Sequence, residues 1–257
     1  MSVLCTEADA VSRFVRRMDE LVDISRACQY NESTRRIEGV PVFIGHYAVG
    51  FASKRFAPRT SLGALMAAAL FLDLLWPIFV LMGWEQVRIE PGNTAFTPLN
   101  FVSYPISHSL VASVGWATLF ALLYLLATRY RRGAVVIWFA VVSHWVLDFV
   151  THRPDLPLYP GGPLLGLSLW NSPVATVIIE ALMYAAGVWI YVRVTRAKDS
   201  IGRWAFWIFV IAVAAFYVIN IFSPPPPGIQ PLLIVAIPLV WLLVLWAWWA
   251  DRHREPR

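Results

Sequence analysis

The chain has 257 residues, 58% of them hydrophobic and only 14% charged, whereas an ordinary soluble domain is roughly 25% charged; this balance argues against a water-soluble globular fold and points to a bilayer. The net charge of +5 alone would suit nucleic acid, but basic residues also crowd cytoplasmic loops beside anionic lipid, and their placement along the chain supports the lipid partner and no nucleic acid. Two cysteines, Cys5 and Cys28, both in the polar N-terminal stretch, argue against a disulfide framework or a thiolate metal site.

Residues 1–39 are polar, and the apolar spacing from Val11 to Val22 predicts a short amphipathic helix on the cytoplasmic side. No small-residue cleavage site follows the first apolar run, which disfavours a removable signal peptide. The segment 40–53 (VPVFIGHYAVGFAS) is too short to cross a ~30 Å hydrocarbon core and is expected to be re-entrant or interfacial. Six longer apolar stretches follow at about 61–83, 107–128, 133–151, 173–194, 204–222 and 230–249, each close to the ~20 residues of a spanning helix. The expected fold is therefore an all-α integral membrane protein. It has about six transmembrane helices plus the short segment, in a domain 40–250 followed by a tail 251–257.

Nineteen of the 21 Lys and Arg fall on one side of this topology, leaving only Arg88 and Arg153 on the other. That asymmetry puts both termini in the cytoplasm and suits a bacterial inner membrane. Trp84, Trp170, Trp246, Trp248 and Trp249 lie at span ends, as an interfacial belt would place them. The outer loops, about 84–106, 152–172 and 223–229, are rich in Pro, Gly and Asn and should form ordered non-helical caps.

His46, His108, His144 and His152 lie in or beside apolar segments, together with Asp73, Asp148, Asp155 and Glu180. An ionisable group at mid-span costs roughly 2.5–3.5 kcal/mol on insertion scales, so such residues default to paired or functional roles. His144, Asp148 and His152 are spaced four apart, a drift of only about 40° per step on a helix, so one face offers N, O and N donors. Pro154 should end that helix near His152, from where Asp155 could swing back. His108 starts the preceding span at similar depth, Asp73 would approach from below, and His46 joins only if its segment dips into the membrane.

A lone membrane histidine is more often a helix-to-helix hydrogen bonder than a ligand, but four with several aspartates at one depth favour a metal. The expected ligands are His46, His108, His144, Asp148 and His152, for zinc, with manganese or iron as alternatives. Asp73, Asp155 or Glu180 would serve as general base.

At these residues the sequence resembles the YdjM-like group of bacterial inner-membrane metal-dependent hydrolases, a LexA-regulated membrane group. The matching elements are His46 with Gly50, Asp73, Ser107-His108-Ser109, and Ser143-His144 with Asp148, over residues 45 to about 155. The group's paired aspartates are reduced here to Asp73, and the His-Arg-Gly ahead of its Thr-His-Ser is absent, implying fewer ligands. The resemblance implies hydrolysis, and a site at the outer leaflet would meet membrane lipids or another small amphiphilic substrate. Competing expectations are an ion- or proton-coupled transporter, a non-catalytic metal binder, and a bis-histidine haem protein.

Overall fold

The computed structural model describes residues 44–257; the expected amphipathic helix within 1–39 lies outside them. The first helix, α1 (Ile44–Ser53), has eight of its ten residues buried, so it sits inside the bundle. Its neighbours there include α2 (Leu62–Ala69) and the later helix α7. The Ser61 hydroxyl caps α2 by accepting from the Ala64 amide at 3.2 Å.

The expected straight span 61–83 is broken. Helix α2 and helix α3 (Phe71–Leu81) meet at Leu70 with a bend of 57°. Leucine is a good helix former, so the break is not local in origin. The Ala69 carbonyl is instead taken by a side chain from elsewhere, His144 Nδ1 at 2.8 Å. Further on, Pro77 has no N–H to give the Asp73 carbonyl four residues before it.

The loop after α3 folds into an antiparallel hairpin of β1 (Gln86–Ile89) and β2 (Leu99–Ser103), followed by the single turn α4 (Pro105–His108). Helix α5 (Leu110–Thr128) starts at a Ser109 cap and ends on Arg129 at φ 56°. Helix α6 (Arg131–Thr151) returns antiparallel against it. The loop after α6 pairs β3 (Leu156–Pro157) with β4 (Leu164–Leu165) and forms a 3-10 turn at Leu169–Asn171, so two of the three expected caps contain regular structure, each with a short helical turn beside its strands.

Three long helices complete the bundle: α7 (Pro173–Val194), α8 (Ser200–Phe222) and α9 (Ile229–Arg252). Helices α5 to α9 are each long and apolar enough to cross a membrane, and the bent pair makes a sixth. Their outer surface exposes Leu122, Leu123, Leu126, Trp189, Ile211 and Leu245, a far larger apolar patch than a soluble monomer shows. The protein is a multi-pass helical membrane protein.

Two features hold α1 in place. Gly187 of α7 lets the backbones touch, since a Cβ there would lie 2.5 Å from the Ala48 carbonyl oxygen. At the end of the bundle away from the hairpin, buried Lys54 donates to Asp251 at 2.7 Å and to the Thr60 carbonyl at 2.9 Å. Asp251 also accepts from the Leu62 amide and the Tyr191 hydroxyl, so both oxygens of this buried carboxylate are hydrogen-bonded. The final residues form β6 (Arg254–Pro256), paired antiparallel with β5 (Thr195–Ala197).

Candidate metal centre

Helix α6 presents His144 and Asp148 on one face, one turn apart and both buried. Their Nε2 and Oδ2 atoms are 3.3 Å apart. Helix α4 brings His108, whose Nε2 lies 3.7 Å from both Asp148 Oδ2 and Asp73 Oδ1. Asp73, from the first turn of α3, places the same Oδ1 3.6 Å from His144 Nε2. Helix α1 contributes His46, with Nε2 3.2 Å from Asp148 Oδ1 and its ring stacked on His144 at 3.8 Å.

The tautomers of two histidines follow from their other nitrogens. His144 Nδ1 faces a carbonyl oxygen, which only accepts, so Nδ1 carries a proton and donates. His108 Nδ1 lies 2.7 Å from Ser107 Oγ, and that hydroxyl donates its own proton to Glu85 Oε2 at 2.6 Å. Ser107 Oγ therefore accepts from His108 Nδ1. Glu85 is fixed in turn, its Oε1 accepting the amides of Ile106 and Ser107 at 2.8 and 2.7 Å. In neutral imidazoles this leaves both Nε2 lone pairs aimed at carboxylate oxygens.

Those lone pairs would repel the carboxylates unless a cation or protons lay between them. Asp148 Oδ2 is buried and has no hydrogen bond among the described residues, which is costly for an ionised carboxylate. Atoms ligating one ion at ~2.1 Å in a tetrahedron are about 3.4 Å apart. Four of the six separations among His108, His144, Asp73 and Asp148 run from 3.3 to 3.7 Å, and the donor atoms that lie within 4.8 Å of one another form two sets sharing His144, namely Asp73, His108 and His144, and His46, His144 and Asp148. His, Asp and orienting outer hydrogen bonds are the usual surroundings of a first-row divalent ion. Only Asp73 of the five is appreciably exposed, at 33% of its side chain, and it faces a cavity of about 410 Å³ that His108, Asp148 and His152 also line.

His152 does not join the cluster. Helix α6 ends at Thr151, and His152 caps it in an extended conformation with its carbonyl accepting the Ser168 amide at 2.7 Å. Its side chain thus leaves the face shared by residues 144 and 148. Nδ1 donates to Asp155 Oδ1 at 2.9 Å, and the ring packs 4.2 Å from Trp170. Tyr104 completes this group, donating to the same Asp155 oxygen at 3.0 Å. Burial, with the Asp155 charge beside it, pushes the Tyr104 hydroxyl well above its usual pKa.

The expected bases are spread out. Asp155 is engaged with His152, Tyr104 and Arg153, the last at 3.0 Å. Glu180 is buried on α7 and lines a separate cavity of about 30 Å³ with Gly45 and His46. Asp73 stands inside the cluster as a donor atom. The stacked His46 and His144 rings are too close to bracket a porphyrin, which argues against the haem arrangement. Glu85, Ser107 as a relay and Tyr104 had not been singled out in the sequence; the polar Ser107 flanking His108 was the one available signal.

Comparisons of the chain with protein-family models, with curated proteins and with solved structures give no match, so the functional reading rests on the geometry.

Proposed function

We propose that the protein is a membrane-embedded metal-dependent hydrolase. Three of the four residues His108, His144, Asp73 and Asp148 would bind one divalent ion directly, leaving a position open for water; zinc comes first by donor type and manganese or iron next. The observation that carries this is the buried Asp148 Oδ2, without a hydrogen bond among the described residues and flanked by the Nε2 atoms of His144 and His108. The YdjM-like resemblance of the same residues implies the same reaction class.

A bound divalent ion supplies Lewis acidity and lowers the pKa of water at the site. The chain's own residues do the rest. His46 holds Asp148 Oδ1 and its stacked ring fixes His144 in plane. Ser107 and Glu85 hold His108. His152, with Nδ1 committed to Asp155 and its ring lining the cavity, is the group placed to accept a proton at Nε2 and pass it to a leaving group. On the arginine and lysine asymmetry, this end of the bundle would lie at the outer face of a bacterial inner membrane, where esters or amides of amphiphiles would be at hand.

Elemental analysis of the detergent-purified protein, beside a His144→Ala/Asp148→Ala double variant, tests the reading. About one equivalent of zinc, manganese or iron in the parent, lost in the variant, is the expected result. No metal in the parent after supplementation would overturn it and leave the proton- or ion-coupled transporter as the reading to pursue.

A further inference from the structure

The cavity beside the cluster is much larger than an ion and its waters need. Away from the cluster its walls are mostly apolar, Tyr47, His152 and Asn220 being the exceptions. One wall is a single face of α9, where Pro231, Leu232, Val235, Ala236, Leu239 and Val240 recur at one-face helical spacing. The facing wall is α3, with Trp76 and Pro77 about one turn beyond Asp73. Val235 lines the cavity and is 62% exposed, and Ile234 and Leu242 beside it on α9 are also exposed apolar side chains. The space is therefore a seam between two helices that is open at Val235, next to apolar surface suited to lipid contact.

A seam of this kind suits one occupant. Each methylene taken from hydrocarbon into water costs about 0.8 kcal/mol, so an apolar chain has no reason to reach the cluster through solvent. Passing between α3 and α9, the chain stays in apolar surroundings while its polar end arrives at Asp73, the most exposed member of the cluster. Asp73 and Asp148 alone would repel a phosphoester; the divalent ion proposed above would neutralise both charges and offer a phosphoryl oxygen a Lewis acid, and this step rests on that reading.

We propose that the seam between α3 and α9 is a lateral acyl-chain channel. Through it a membrane phospholipid slides from the bilayer with one chain along α9 and its phosphoester head against Asp73. The substrate class is thus an intact membrane lipid rather than a water-soluble ester.

The full chain is reconstituted in phosphatidylglycerol nanodiscs containing a phosphatidylglycerol with a mid-chain diazirine, irradiated, digested and mapped by mass spectrometry. Adducts are expected at Leu70 and Trp76, buried side chains that line the cavity, as well as at outward-facing Leu123 and Ile211. Filling the seam by Ala236→Trp, or separately by Leu239→Trp, should abolish the Leu70 and Trp76 adducts while those at Leu123 and Ile211 persist and report an intact fold. Adducts confined to outward-facing residues in the parent, or seam adducts insensitive to both fillings, would overturn the channel. The His144→Ala/Asp148→Ala protein, which should lose metal by elemental analysis, should keep the chain adducts at reduced yield because only the head-group contact involves the ion, so the channel and the metal site can fail separately.

Discussion

Replacing Ser107 by alanine removes one oxygen, the Oγ lying 2.6 Å from Glu85 Oε2 and 2.7 Å from His108 Nδ1. Glu85 keeps both backbone amides on its other oxygen, so α4 stays anchored. What disappears is the acceptor that holds the His108 proton on Nδ1 and its Nε2 lone pair on the cluster. Loss of such an outer hydrogen bond typically lowers metal affinity 10- to 100-fold, equivalent to about 1.4–2.7 kcal/mol. Ser107 is fully buried, and an orphaned buried polar group costs about 1–3 kcal/mol; the metal-free protein should lose stability of similar size. Competition with a chromophoric zinc chelator gives the Kd, and thermal unfolding with and without zinc gives the coupling. Ser107→Ala should weaken zinc 10- to 100-fold and shrink the zinc-induced rise in Tm, and Ser107→Thr should retain most of both. A Kd unchanged in Ser107→Ala would refute the chain from Glu85 through Ser107 to a ligating His108.

Gly187→Leu forces α1 off α7, because its Cβ would meet Ala48 backbone atoms at 2.5 and 2.7 Å. Stability should fall by about 1–3 kcal/mol and zinc affinity should fall with it, as His46 is drawn from Asp148, both measurable in the same titrations. Lys54→Met leaves Asp251 buried with its counterion gone, and should cost about 3 kcal/mol in denaturant-induced unfolding, part of it recovered in Lys54→Met/Asp251→Asn. Zinc affinity should fall as pH drops, because protons compete with the ion for the imidazole nitrogens; a zinc Kd flat from pH 8 to 5 would contradict histidine ligation. The Tyr104 hydroxyl has its pKa raised by burial and by Asp155, so its contribution to stability is complete below its unfolded pKa of about 10 and is lost as pH rises beyond it. Tyr104→Phe should therefore flatten the alkaline loss of Tm without changing the pH dependence of zinc binding.

The spans were legible because apolar runs near 20 residues have few alternatives, and five of the six are continuous helices. The first is not, since its break depends on a carbonyl captured by His144, 75 residues away. His144 and Asp148 were legible from helical spacing alone, whereas extending that spacing to His152 failed at the helix end: an extended cap turns its side chain towards Asp155 and Trp170. His46 needed its short segment to enter the bundle, which depends on the close approach at Gly187. Glu85 reaches Ser107 across 22 positions and a hairpin, a pairing that no local pattern announces.

The cluster draws on α1, α3, α4 and α6, so no single hairpin of the nascent chain contains it. Asp73 enters the membrane region long before Asp148, His144 and His108 are synthesised or packed, and an isolated carboxylate at mid-span carries a penalty of roughly 2.5–3.5 kcal/mol. A short, bent α3 can leave Asp73 near the head groups until α6 arrives, then swing about Leu70 as His144 captures the Ala69 carbonyl. A chain stalled before α6 leaves Asp73 without the His144 and Asp148 that later surround it.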